Sequence, residues 1–346
     1  MSKFSVASPA QRTNVLAGQI IAHSIPVEVL GITGMQRQIP KNKSRTVSFR
    51  RYRPYGALAT NENTKNRWVV DSTAHVLTEG VTPTADTMVP DDVSVTLQQY
   101  GCLYEVTDQT VDLYEDDVPE EMKKQCGERV GLIREMVRYG ILKGGVNVFF
   151  SGGTTRGTVD EKLTLKVLQK ASRTLQLNHA KRVTGILAPS ENVATKPCEA
   201  AYLVFCSTDG EADVRALAGF KTVAEYGTRK PINENDIGSC ENFRFISSPE
   251  LSPYLDSGAL TGSTGLLSSG TKVDVYPFII CGEDAWGQVA LRGEDAVSPT
   301  WIPPGEKTKS DPLGQRGFVG AKFYFSCKIL NEGWMAIIEA GVSDLA

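Results

Sequence analysis

The sequence is poor in the residues and patterns on which most enzymes depend. It holds three histidines, His23, His75 and His179, far apart and outside any recognisable pairing motif. That leaves little for a histidine-based triad or a zinc site. There is no Gly-x-x-x-x-Gly-Lys-Ser/Thr loop, no Gly-x-Gly-x-x-Gly, no His-Glu-x-x-His and no Gly-x-Ser-x-Gly. Neither catalysis nor a cofactor is expected, and the weight moves to binding or structural roles. The seven cysteines include no Cys-x-x-Cys pair. An odd count in a long chain argues against a disulfide framework, so they read as reduced, mostly buried, small apolar residues of a protein folded in a cytoplasm. Long hydrophobic runs are missing too. No stretch approaches the ~20 apolar residues of a membrane span. The first thirty residues lack a basic start, a clean apolar run and a cleavage site, so no targeting or membrane segment is expected.

What is present is ordinary globular composition with an unusual arrangement of charge. The 346 residues are 41% hydrophobic and 22% charged, enough chain for about two folding units. A formal net charge of -3 does not suit a protein that binds nucleic acid through its overall field. Yet residues 37–67 carry nine Lys/Arg and one acid, and residues 71–121 carry thirteen acids and no Lys or Arg. Three readings stand side by side. The basic stretch is a nucleic-acid-binding module (residues 37–67) with Tyr52 and Tyr55 stacking on bases; or both blocks are solvated surface; or they are complementary between subunits. The third accounts for both signs at once, and such contacts set register and partner choice more than strength. Its candidate interface is Arg45, Arg50, Arg51 and Arg53 against Asp112, Glu115, Asp116, Asp117, Glu120 and Glu121. The acidic run lacks the alternating spacing and internal glycine of a calcium loop, so no metal is expected there.

Hydrophobic periodicity outlines the elements. Residues 1–40 hold short apolar pieces split by glycine and proline and read as an arm. Residues 44–53 alternate with period two and predict a strand with cationic side chains. A second strand is predicted over 93–107, with Gly101 marking a bulge. About forty polar, loop-like residues separate the two, which describes an extended hairpin. A lone hairpin is marginal, so it needs something to pack against. Residues 119–143 predict a long helix, with Pro119 in the first turn, Glu120 and Glu121 at its positive end, and Gly144-Gly145 beyond it. A second helix is predicted over 159–178, entered through a Thr158/Glu161 capping box. Beyond it follow strands at 201–206, 243–247 and 273–281, a short helix at 211–217 and a Ser/Gly/Thr-rich loop at 254–271. A terminal hairpin (Phe318 to Leu330, Trp334 to Ala340) is predicted to turn at Asn331-Glu-Gly333. There is no internal repeat.

An ordered set of short stretches resembles one family. They are Leu77-Thr-Glu-Gly-Val-Thr-Pro83, Leu97-Gln-Gln-Tyr-Gly101, Arg138-Tyr-Gly-Ile-Leu-Lys143, Asn147-Val-Phe149 and Glu211-Ala-Asp-Val-Arg215. Val273-Asp-Val-Tyr-Pro277, Ser310-Asp-Pro-Leu-Gly-Gln-Arg-Gly317 and Ile329-Leu-Asn-Glu-Gly-Trp-Met335 complete the set. Together they are similar to the major capsid proteins of tailed bacteriophages with the Hong Kong 97 type fold, in the branch typified by the coat protein of phage N-four. The resemblance implies an α+β fold in four parts. These are an N-terminal arm (1–45), an extended β-hairpin loop (46–93), a peripheral domain with a long spine helix (94–145 and 310–346), and an axial α/β domain (146–309). It implies a coat subunit that self-assembles into hexamers and pentamers of an icosahedral shell around double-stranded DNA, without sequence-specific binding and without a membrane. Scaffolding protein and portal are the further partners implied, with a decoration protein left open. The place implied is the virion, after assembly in the host bacterial cytoplasm. Some members cross-link subunits through a lysine and an asparagine, but no motif here carries that chemistry.

Overall fold

The structure is a computed structural model that describes residues 28–40, 42, 44–52, 57–58, 68–69, 72–83, 85, 88, 90–113, 117–184, 200–226, 231–262, 265–291, 297–307 and 311–345. The chain forms two compact units. One comprises Met1–Glu28, Gln98–Met136 and Leu291–Phe325; the other comprises Val29–Leu97, Val137–Ala290 and Ser326–Ala346. Helix Val118–Leu142 and strand Arg316–Ile329 each contribute residues to both.

In the first unit, strand Arg316–Ile329 supplies the centre of an antiparallel sheet. It pairs on one side with Gln98–Thr107, from Arg316 opposite Thr107 to Phe325 opposite Gln98, and on the other with Val297–Ile302. Val106, Val319, Phe323 and Phe325 are buried. The helix lies against this sheet, with Cys126 and Val130 buried, and with Arg129 over the Tyr104 ring and Arg134 over the Phe323 ring. A cavity of about 460 Å³ remains between helix and sheet, lined by Lys123, Cys126, Val130, Trp301, Val319 and Ala321 among others. The helix expected over 119–143 thus runs Val118–Leu142, 25 residues and ~37 Å long. Gly101 carries no bulge. The register past it is unbroken, and a Cβ there would meet the Ala321 carbonyl oxygen at 3.1 Å, so glycine serves close backbone approach.

The second unit is built on a seven-stranded mixed sheet. Its order is Val148–Phe150, Met335–Ala340, Tyr276–Cys281, Tyr202–Ser207, Phe243–Ser248, Asp236–Cys240 and Lys221–Thr222. Met335–Ala340, Tyr276–Cys281 and Tyr202–Ser207 are buried at every position, as their continuous apolar runs require of strands covered on both faces. Helix Leu165–Leu177 lays Leu168, Ala171 and Leu175 on the core that holds Val204, Phe243, Phe278 and Ile338.

Four further expectations are corrected by the structure. The single strand over 93–107 is two, Pro90–Thr96 and Gln98–Thr107. They part at Leu97, which still bonds Arg45: the Leu97 amide donates to the Arg45 carbonyl at 2.9 Å, and Arg45 Nε donates to the Leu97 carbonyl at 3.1 Å. The next residues pair with Arg316–Ile329 instead. The second helix begins at Leu165, not 159, because Val159 and Leu163 are buried and residue Lys162 bridges to Gly341. The capping box belongs one turn earlier, to Thr155 and Thr158 of a short 3-10 turn, and not to Thr158 and Glu161. Finally, the last two strands do not form a hairpin. Arg316–Ile329 pairs with Gln98–Thr107 and Val297–Ile302, whereas Met335–Ala340 enters the seven-stranded sheet between Val148–Phe150 and Tyr276–Cys281. The turn at Glu332–Trp334 sends the chain from one sheet to another.

Candidate assembly surface

Two paired strands carry Arg50 and Arg51 of the basic candidates, with Arg45 just before them. Strands Thr46–Tyr52 and Pro90–Thr96 pair antiparallel with Arg50 opposite Asp92 and Arg51 opposite Asp91. The base of the pair packs against other parts of the chain, as the sequence requires of a hairpin. Phe49, Val95 and Leu97 are buried with Ile39 and Val289 in a small core of the second unit, and Arg37 stacks on the Phe49 ring at 5.1 Å. Lys328 Nζ donates to the Ser94 carbonyl.

The register has an electrostatic consequence. Arg50 donates through Nε and Nη2 to the two oxygens of Asp92, at 2.8 and 2.9 Å. Arg51 Nε lies 3.6 Å from an Asp91 oxygen. The hydrogen bond from Arg50 holds the Asp92 carboxyl below the usual carboxylate range and in turn raises the guanidinium. Asp91 and Asp92 were absent from the candidate set because the sequence assigned them to a loop. The signal was the two-strand pattern itself, which places residues 50–51 opposite 91–92 once the register is fixed. Tyr52 is exposed. Arg53 and Tyr55 lie outside the described residues.

Further along the same hairpin the side chains turn apolar without cover. Val76, Leu77, Val81 and Met88 are 73, 73, 63 and 74% exposed. Several large apolar residues exposed along one stretch of chain mark a candidate interaction surface.

The acidic candidates belong to the first unit, the basic ones to the second. Asp112 lies exposed on the short helix Asp108–Leu113. Asp117 precedes the long helix and accepts from the Glu120 amide at 3.2 Å, capping it. Glu120 and Glu121 fill the first turn, where the helix dipole favours negative charge. Glu121 accepts from Lys124 at 2.7 Å, which raises the lysine. Glu115 and Asp116 lie outside the described residues. Among the described residues no group of three or more His, Cys, Asp or Glu is placed to hold a metal ion. Nor, among the described residues, is any helix long and apolar enough to cross a membrane.

Comparison with known proteins gives one consistent answer. No family model matches the chain. A major capsid protein of Pseudomonas phage KPP21 is 21% identical over 264 residues, 70% of this chain and 66% of that protein, so the match spans slightly under two thirds of the relative. Among solved structures, the capsid of Ralstonia phage GP4 superposes with a TM-score of 0.63 at 13% identity, covering 92% of this chain and 89% of that one. The head structure of Helicobacter pylori bacteriophage KHP40 does so with a TM-score of 0.58 at 10% identity, covering 93% and 92%. The fold is therefore the mixed α+β fold of phage capsid subunits.

Proposed function

We propose that this chain is the major capsid subunit of a tailed bacteriophage and that it self-assembles into an icosahedral shell enclosing double-stranded DNA. The observation that carries the reading is the likeness to capsid subunits along nearly the whole chain, 92% of it for the Ralstonia phage capsid. The exposed Val76, Leu77, Val81 and Met88 support it, since uncovered apolar side chains of that kind are buried by a neighbour. On this reading the subunits form hexamers and pentamers, scaffolding protein and portal join them, and the shell assembles in the host cytoplasm and persists in the virion. The ordered stretches from Leu77 to Met335 favour the branch typified by phage N-four. The four-part division is kept in outline. The pairing of Met335–Ala340 within the seven-stranded sheet favours moving that strand from the peripheral to the axial part.

We further propose that the basic hairpin of one subunit faces the acidic helix entrance of the next, Arg45, Arg50, Arg51 and Arg53 toward Asp112, Glu115, Asp116, Asp117, Glu120 and Glu121. The in-chain pairs of Arg50 and Arg51 leave their outer faces available, with 58% and 49% of each side chain exposed. The same pairs weaken the nucleic-acid alternative, because two of the arginines in 37–67 already hold carboxylates. Expression of the chain with and without its scaffold, followed by imaging of the product, tests the shell. Closed particles are expected. A product that stays monomeric with scaffold present, across salt conditions, overturns the reading.

A further inference from the structure

Cys102 and Cys126 stand apart from the other described cysteines. Cys206, Cys240 and Cys327 each set a buried sulfur 3.6–3.7 Å from a backbone carbonyl oxygen, of Ile246, Ala218 and Val137 respectively, and Cys281 is buried in its strand. They fill space. Cys102, in the middle of strand Gln98–Thr107, instead places its Sγ 2.9 Å from Sγ of Cys126, in the third turn of the long helix. A disulfide needs ~2.05 Å, so the two sulfurs are within ~0.9 Å of bonding distance, a gap that small side-chain rotations close. Both belong to the first unit, so the approach is internal to one packed body. Both are also reachable. Cys102 is partly exposed, and Cys126, though buried, lines the cavity between helix and sheet.

We infer that Cys102 and Cys126 are a built-in redox pair, closing to a disulfide that ties the long helix to the sheet when the protein meets a low-molecular-weight disulfide. The partly exposed Cys102 gives up its proton and attacks one sulfur of the reagent, forming a mixed disulfide and releasing one thiolate that takes up a proton. Cys126 then gives up its proton and attacks the Cys102 sulfur, and the second half of the reagent leaves as its thiol. The reagent is reduced to two thiols as the two cysteines are oxidised. Burial and the hydrogen bond with Cys102 push the Cys126 thiol up to about 12, against a smaller opposing pull from Arg129. Once Cys102 is held in the mixed disulfide its thiol no longer raises Cys126, but burial still does, so the second step speeds up as pH rises. The bond would close a loop across 24 sequence positions and stiffen the unit. The use of the pair rests on the shell reading: subunits assembled in a reducing cell would be locked once outside it. The chemistry itself stands on the geometry alone.

The test treats the full-length protein with oxidised glutathione, blocks residual thiols with N-ethylmaleimide and maps the peptides by mass spectrometry without reduction. A Cys102–Cys126 linked peptide is expected. The thermal midpoint should rise by several degrees on oxidation and fall back with dithiothreitol. Cys102→Ser should fold and abolish both. Cys102 left free, Cys102 held only as the glutathione adduct, links to other cysteines, or a linked protein with an unchanged midpoint each overturn the inference. Peptide mapping of the wild type decides the matter even where Cys126→Ser fails to fold. Because the assay reads single subunits, its failure is distinct from a failure to form shells.

Discussion

At the scale of residues, Glu339 and Asp92 each hold an arginine through both carboxylate oxygens, and burial sets what each pair is worth. Glu339 is 1% exposed within the fully buried strand Met335–Ala340 and accepts from Arg156 Nε and Nη2 at 2.8 and 2.6 Å. Arg156 is 40% exposed and also lies 3.6 Å above the Tyr254 ring. Glu339→Ala removes the acceptor, but the guanidinium keeps its ring and can turn to water. The loss should therefore be about 1–3 kcal/mol, below the full cost of an orphaned buried charge. Urea unfolding measures it, and Glu339→Gln, which keeps the shape and one acceptor, should lose less. Asp92 is the exposed counterpart. Its folded carboxyl is held below the ordinary value by the hydrogen bond from Arg50, so the pair's contribution is present above the unfolded carboxylate pKa and is lost as pH falls through the folded one. The window lies in acid, below the ordinary carboxylate value of 3.8. An NMR titration should find Asp92 titrating lower in the wild type than in Arg50→Gln. Equal midpoints would show that the pair does not persist in solution.

At the scale of elements, the hairpin allows the in-chain and between-subunit roles of its arginines to be separated. Arg50→Asp alone sets two carboxylates opposite each other across the strands and should loosen the hairpin. Adding Asp92→Arg restores the pair with its polarity exchanged. Hydrogen exchange of Thr46–Tyr52 should recover in the swapped variant. Assembly should not recover, because the charge presented to a neighbour has moved from one strand to the other. Normal shells from the swapped variant would remove the electrostatic account of the interface. The hairpin was legible because period-two alternation in 44–53 is a backbone property, and the long helix because its apolar spacing held for seven turns. The register was not legible, and with it Asp91 and Asp92 were missed. A register is fixed by packing, here by Phe49, Val95 and Leu97 on Ile39 and Val289, which are distant in sequence. The terminal strands were misread for a related reason. Asn331-Glu-Gly333 is a good turn sequence, but Met335-Ala-Ile-Ile-Glu-Ala340 is apolar on both faces apart from Glu339. That pattern belongs to a central strand, not to one arm of a half-exposed hairpin.

At the scale of the whole molecule, the opposed charge blocks and the exposed apolar segment make different demands on the solvent, so salt can tell them apart. Raising ionic strength from about 0.1 M to about 1 M shortens the Debye length from ~10 to ~3 Å, which screens exposed pairs while leaving apolar burial in force. If basic hairpin and acidic helix entrance meet between subunits, the concentration needed for assembly should climb with salt. Asp112→Asn with Glu120→Gln should flatten that dependence. Both residues are exposed, and neither supplies the cap of the long helix, which is Asp117, so the variant should fold. Leu77→Ser with Met88→Ser should weaken assembly at every salt concentration by a similar factor, because these side chains, 73 and 74% exposed, have no charge to screen. Light scattering of purified subunits with scaffold measures all three. The sign of the salt effect is decisive. Assembly that improves as salt rises would mean that the acidic entrances of neighbouring subunits repel one another, and the proposed pairing of opposite charges would then be wrong whatever the shell looks like.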